Sequence, residues 1–204
     1  ARQAERYPER EALVYDGGSL SYAHLWAEAC ALAGRLKAQG VGPNDIVALD
    51  GGRSEEMIIG YLATLLSGAC VMPLDPDLPP ARLKTYVDDA RPTLMIAAEG
   101  SNLPSFGVPI FHYARRRAPT SLAAQPPLRD PRSSAYLIYT SGSTGQPKGV
   151  LNSYAGLSNR VAWMQDDLQL RPQDRVLHKT SVCFDVSVWE LLWPLSAGAA
   201  IVLA

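Results

Sequence analysis

An excess of charge of either sign is missing from this sequence. Lys and Arg number 19 against 20 Asp and Glu, a net charge of −1 at pH 7. That balance gives no reason to expect nucleic acid or a membrane as the main partner. The one basic run, Arg115-Arg116-Arg117, lies in a proline-rich stretch and reads as a solvated loop. Histidine and cysteine are scarce as well. His24, His112 and His178 show no metal-site spacing. Cys30, Cys70 and Cys183 are odd in number, far apart and set among apolar neighbours, which reads as buried thiols in a reducing compartment such as the cytoplasm. No apolar run is long enough to span a membrane, no secretory leader opens the chain and no internal repeat is visible. At 204 residues, with 47% hydrophobic and 19% charged, the chain can bury a sizeable core in one or two domains.

Strand, helix and strand alternate with short turns. Residues 11–15 read as a strand, followed by the turn signal Asp16-Gly17-Gly18. Ser21 is a good N-cap for a helix with Leu25, Ala29, Leu32 and Leu36 at helical spacing, closed by Gly40. Residues 45–49 form the next strand. Ser54 caps a second helix, which ends at Gly68. Residues 69–72 read as a buried strand, ended by prolines at 73, 76, 79 and 80 that forbid a continued central strand. A helix over 81–89 and strands at 93–97 and 110–111 follow. Residues 112–134 break the pattern with Pro119, Pro126, Pro127 and Pro131, a connection that divides a subdomain 1–130 from a second, 131–204. Beyond it come a strand ending at Thr140, a strand at 149–152, a helix over 155–165 and a strand at 175–178. A helix then starts within 181–190, and a last strand follows Gly198. The fold class is α/β, a doubly wound, layered arrangement of sheets with flanking helices. The chain stops on the apparent strand Ile201–Ala204, which predicts a piece of a longer protein.

Two places carry chemistry. The first is Tyr136–Val150. An apolar run ends in a loop bearing four hydroxyls, Thr140, Ser141, Ser143 and Thr144, interleaved with Gly142 and Gly145, before Pro147 presents Lys148. Glycine lets backbone N–H groups close on an anion; hydroxyls add donors, and a lysine adds a point charge. A polyphosphate cradle is one reading, and a ligand-free Ser/Gly surface turn is the other. A Walker loop is excluded because Pro147 stands where the second glycine is needed, and a dinucleotide fingerprint because Thr144 stands where another glycine is needed. The loop also joins strand to strand.

The second is Asp185, flanked by Phe184 and Val186 at a helix start. It reads either as a plain helix cap or as an anionic group in an apolar pocket that awaits an ammonium. Ser187 and Glu190 match a capping box, and Trp189, four residues past Asp185, shares its face.

Tyr139-Thr-Ser-Gly-Ser-Thr-Gly-x-Pro-Lys-Gly149, followed by Phe184-Asp-x-Ser-x-Trp-Glu190, resembles the adenylation domains of nonribosomal peptide synthetases. These belong to the adenylate-forming superfamily, with acyl-CoA synthetases and luciferase. Leu20–Leu25, Leu66–Pro76 and Lys179-Thr180-Ser181 are similar to family segments in the same order, so the resemblance spans the chain. It implies that Thr140, Ser141, Gly142, Ser143, Thr144, Gly145 and Lys148 hold the ATP β- and γ-phosphates. It also implies that Asp185 pairs with a substrate α-ammonium, while Val186 and Trp189 line the side-chain pocket; a small substrate such as serine is compatible. ATP and Mg²⁺ are the implied cosubstrate and metal. The implied partners are the amino-acid substrate, a peptidyl carrier protein domain bearing phosphopantetheine, and neighbouring synthetase domains.

Tyr154 departs from the family's histidine, and Asn152-Ser153 is unusual at its place. The family's adenine and ribose motifs, its Mg²⁺-binding acid and its catalytic lysine belong to later segments. No catalytic residue and no metal ligand is therefore expected here, and the chain alone is expected not to complete the reaction. An acyl- or aryl-CoA ligase of the same superfamily and a truncated non-catalytic scaffold are the alternative readings.

Overall fold

The computed structural model describes residues 1–115, 130–141 and 146–204. In chain order it runs α1 (Arg2–Arg6), β1 (Glu11–Tyr15), β2 (Gly18–Ser21), α2 (Tyr22–Ala38), β3 (Ile46–Asp50), α3 (Glu55–Ser67), β4 (Cys70–Leu74) and α4 (Pro80–Ala90). Then come β5 (Leu94–Ala98), β6 (Ile110–Tyr113), β7 (Ser134–Ser141), β8 (Pro147–Ser153), α5 (Tyr154–Leu168), β9 (Arg175–His178), α6 (Asp185–Ala197) and β10 (Ala200–Leu203). Short polar side chains start α2 and α3 as the sequence suggests, and α5 as well. Ser21 and Ser54 accept from the N–H of His24 and Met57, and Ser153 accepts from Gly156. Gly68 and Gly198 end α3 and α6 at φ +95° and +89°, a region where a Cβ is strained.

Two sheets form, ordered β6-β5-β3-β4-β7-β8 and β2-β1-β10-β9. The larger is parallel except for the antiparallel β7–β8 hairpin; in the smaller, β1, β10 and β9 are parallel and β2 is antiparallel to β1. α2 packs on the smaller sheet and on α3, which packs on the larger. This is the layered α/β architecture the pattern implied. Each sheet takes strands from both sides of residue 130. Along β3 the side chains alternate, Val47 and Leu49 into the core shared with the helices and Ala48 into a second cluster with Met72, Leu83, Tyr86 and Met95. Burial on both faces explains why these parallel strands read as continuous apolar runs.

Some expectations are corrected. β4 continues through Pro73 to Leu74 in the interior of the sheet, with Pro73 opposite Leu49. The Pro73 carbonyl accepts from the Cys183 thiol at 3.4 Å, while the Leu74 carbonyl accepts from Gly51 N–H at 2.8 Å on the β3 side. The missing N–H of Pro73 therefore points away from β3, so its absence does not interrupt the β3–β4 ladder. α1 and β2 were not anticipated; β2 hides inside the turn-and-cap signal of 16–21. Arg115 is not a solvated loop residue: it donates to the Tyr15 hydroxyl at 3.1 Å and lies 3.7 Å from Glu55. Arg116 and Arg117, like Pro119, Pro126 and Pro127, lie outside the described residues. All three cysteines are thiols; Cys30 and Cys70 are buried and Cys183 is half-buried.

Candidate functional site

The hydroxyl-rich stretch is a hairpin. β7 and β8 pair antiparallel, with Tyr136 opposite Asn152, Ile138 opposite Val150 and Thr140 opposite Lys148. Pleating puts these six residues on one face. Thr140 Oγ1 donates to the Lys148 carbonyl at 3.4 Å, and Thr140, Ser141 and Lys148 are exposed. Gly142, Ser143, Thr144 and Gly145 lie outside the described residues. Tyr139, on the opposite face, stacks on Tyr86 with centroids 4.2 Å apart, and its hydroxyl donates to Asp89 at 2.7 Å. Burial raises the Tyr139 pKa and Asp89 raises it further, so the phenol stays protonated. Across the hairpin, a Cβ on Gly149 would sit 3.0 Å from Leu137 and 3.2 Å from the Tyr139 ring, so a side chain there would press on the stack.

The segment entering α6 is tied down on several sides. Arg53 donates to the Lys179 carbonyl at 2.5 Å, and Ser181 donates to Asp75 at 2.8 Å. Burial pushes the Cys183 thiol up to about 12, with Asp75 adding to the shift. α6 then begins at Asp185, with Phe184 as an N-cap that supplies no side-chain bond.

Neither capping expectation holds. Ser187 is already inside the helix and donates to the Phe184 carbonyl at 2.6 Å, and Glu190 bonds to Thr180 instead. Asp185 makes no capping bond; its charge in the first turn favours the helix dipole. Nor is Asp185 buried. It is exposed, between Phe184 at 64% and Val186 at 42% exposure.

Two cavities flank it. One of ≈ 610 Å³ brings Asp185 together with Thr140, Ser141, Tyr139, Arg82 and Cys183. The other, ≈ 410 Å³, is lined by Asp185, Val186 and Trp189 with Tyr136, Asn152 and Arg160. The structure thus unites Thr140 and Ser141 with Asp185, and Asp185 with Val186 and Trp189; Lys148 lines neither cavity. Tyr136 is held between opposed charges. Burial raises its pKa, Asp185 raises it further and Arg160 lowers it.

Tyr136, Asn152, Arg160 and Arg82 were not assigned to the site from sequence. Period-two alternation back from Thr140 would have found Tyr136, and antiparallel register would then have found Asn152. No local signal marks Arg82 or Arg160. Among the described residues no group of three or more His, Cys, Asp or Glu could hold a metal ion, and no helix is long and apolar enough to cross a membrane.

The sequence model of the AMP-binding enzyme family matches residues 1–204. Enterobactin synthase component F of Escherichia coli (strain K12) is 40% identical over 207 residues, covering 100% of this chain and 16% of that protein. The crystal structure of the nonribosomal peptide synthetase FmoA3 (S1046A) superposes with a TM-score of 0.89 at 29% identity, over 99% of this chain and 22% of that one. The N-terminal subdomain of Klebsiella oxytoca NpsA, in complex with 3-hydroxybenzoyl-AMSN, gives 0.87 at 26% identity, over 100% and 52%.

Proposed function

The chain belongs to the AMP-binding enzyme family, and on that premise we propose that it is the N-terminal portion of an amino-acid adenylation domain in a nonribosomal peptide synthetase. The domain activates an amino acid by attack of its carboxylate on the α-phosphorus of ATP, giving aminoacyl-AMP and pyrophosphate. The thiol of a carrier domain's phosphopantetheine then attacks the aminoacyl carbonyl, forming a thioester and releasing AMP.

In this reading Thr140, Ser141, Gly142, Ser143, Thr144, Gly145 and Lys148 hold the β- and γ-phosphates. Asp185 pairs with the α-ammonium, and Val186 and Trp189 line the side-chain pocket. The observation that carries it is that Thr140 and Ser141 share one cavity with Asp185. A triphosphate at the hairpin and an ammonium at the start of α6 are then within reach of one reacting pair. Positioning and charge neutralisation are what these residues contribute. We assign no Mg²⁺ ligand and no catalytic residue to the described residues, and expect the chain alone not to complete the reaction. The thiol cysteines suit a cytoplasmic protein whose partners are the carrier and neighbouring synthetase domains.

FmoA3 was solved in an α-methyl-L-serine-AMP-bound form, which supports an amino-acid substrate by similarity. The 3-hydroxybenzoyl-AMSN complex of NpsA favours a second reading, activation of an aryl acid. An acid without an amine has no use for the carboxylate of Asp185, which is why the first reading is preferred. ATP–pyrophosphate exchange in the complete protein, with panels of amino acids and of aryl and acyl acids, decides. Exchange driven only by acids lacking an amine overturns the amino-acid reading.

A further inference from the structure

We propose that Glu190 is a positioning residue for the amino-acid end of this site, acting through Thr180 and not by touching substrate; the proposal rests on the amino-acid reading above. Glu190 is 5% exposed and uses both carboxylate oxygens on one residue. Oε1 accepts from the Thr180 hydroxyl at 2.6 Å, and Oε2 accepts from the Thr180 N–H at 3.1 Å. Oε2 also lies 3.2 Å from Nδ1 of the fully buried His178. Thr180 comes five residues before Asp185 and Glu190 five after. The clamp therefore closes the loop at whose middle Asp185 stands.

Helical geometry separates the two acids. Asp185 and Trp189 share a face and line a common cavity, whereas Glu190 is rotated about 140° from Asp185 and lines neither cavity at Asp185. The other ties on the segment, from Arg53, Asp75 and Pro73, hold it to the strand ends of the larger sheet. The Glu190 bonds hold it to the helix that carries Asp185.

Packing alone does not require a charge here. Burying a carboxylate is costly, and an apolar side chain of similar size holds a helix on a core as well or better. What the carboxylate adds is direction. Two charge-assisted bonds to one residue set both the distance and the angle between Thr180, just past β9, and the second turn of α6. That angle aims the carboxylate of Asp185.

The test is ATP–pyrophosphate exchange in the complete protein, with amino acid titrated at saturating ATP and ATP titrated at saturating amino acid. E190A, E190Q, T180V, T180S and D185N are compared. E190A is expected to raise the amino-acid KM about tenfold or more and leave the ATP KM within about twofold. T180V should move the amino-acid KM in the same direction, and T180S, which keeps the hydroxyl, should restore it. E190Q keeps an acceptor oxygen and should recover most of the loss. A folded E190A with an unmoved amino-acid KM, or with both KM values raised alike, overturns the proposal. If E190A does not fold, T180V and T180S decide, and a wild-type amino-acid KM in T180V, or an equal rise in T180S, overturns it. D185N separates the two levels. If D185N raises the amino-acid KM while E190A does not, the positioning role alone is wrong; if D185N leaves it unmoved, the amino-acid reading falls and the positioning role with it.

Discussion

Replacing Asp185 by Asn removes one negative charge and keeps the side chain's shape. The size of the effect depends on how well water reaches the carboxylate. In this structure Asp185 is exposed, and Phe184 and Val186 beside it are 64% and 42% exposed. An ammonium paired with a carboxylate so placed is worth about 0.2–1 kcal/mol, a change in affinity of about fivefold at most. A pair fully desolvated in the assembled domain is worth about 2–5 kcal/mol, from about 30-fold to a few thousand-fold. On the proposed amino-acid reading selective activation needs the second regime, which requires Asp185 to be covered when substrate is bound. The expected outcome for Asp185→Asn in the complete protein is therefore an amino-acid KM raised about 30-fold or more, with the ATP KM within about twofold. The assay is ATP–pyrophosphate exchange with each substrate titrated separately. A rise below about fivefold would show that the pair stays in water. A raised ATP KM with an unchanged amino-acid KM would refute the assigned role altogether.

Lys148→Ala should slow exchange chiefly by weakening pyrophosphate, with amino-acid affinity retained; unchanged dependence on pyrophosphate would remove Lys148 from the phosphate site. Gly51→Ala should destabilise the fold by about 1–3 kcal/mol in urea unfolding. Its Cβ would lie 2.6 Å from the Leu74 carbonyl oxygen and 2.9 Å from Val182, and backbone cannot yield cheaply; a wild-type midpoint would show that the β3–β4 strand ends do move. His178 carries the pH prediction. Burial lowers its pKa, Arg53 adds to that and Glu190 opposes it. The folded state thus favours neutral imidazole, so this contribution is full above the ordinary histidine value of about 6.5 and is lost as pH falls below it. The difference in unfolding midpoint between the wild type and His178→Gln should change across that window and be flat above it; a flat difference throughout refutes the assignment.

Much of the fold was legible because its signals are local. Ser21 and Ser54 sit one residue before helices whose N–H groups need an acceptor, and Gly68 stands where the chain must turn left-handed. β3, β4 and β5 of the larger sheet announced themselves as apolar runs because both of their faces are covered. The misreadings share a cause. Pro73 looked like a strand end because the sequence does not say which side of a strand its partner occupies. Glu190 looked like a capping partner for Ser187 because a spacing of three matches the motif, whereas the nearest donor in space is Thr180. Arg115 looked solvated because Tyr15 and Glu55, its partners, are far away in the chain.

The candidate site divides in the same way. By itself the sequence determined the chemistry on offer: hydroxyls, glycines and a lysine between two strands, and a carboxylate at the head of a helix. These are properties of residue type and short spacing, and they carry family membership with them. Only the tertiary structure decided that Thr140 and Ser141 meet Asp185 at one cavity, that Arg160 and Tyr136 join Asp185 at another, and that the carboxylate is exposed. Those facts depend on Thr140 on β7 and Asp185 at the head of α6, 45 residues apart along the chain, being brought to one cavity, and no local pattern encodes that approach.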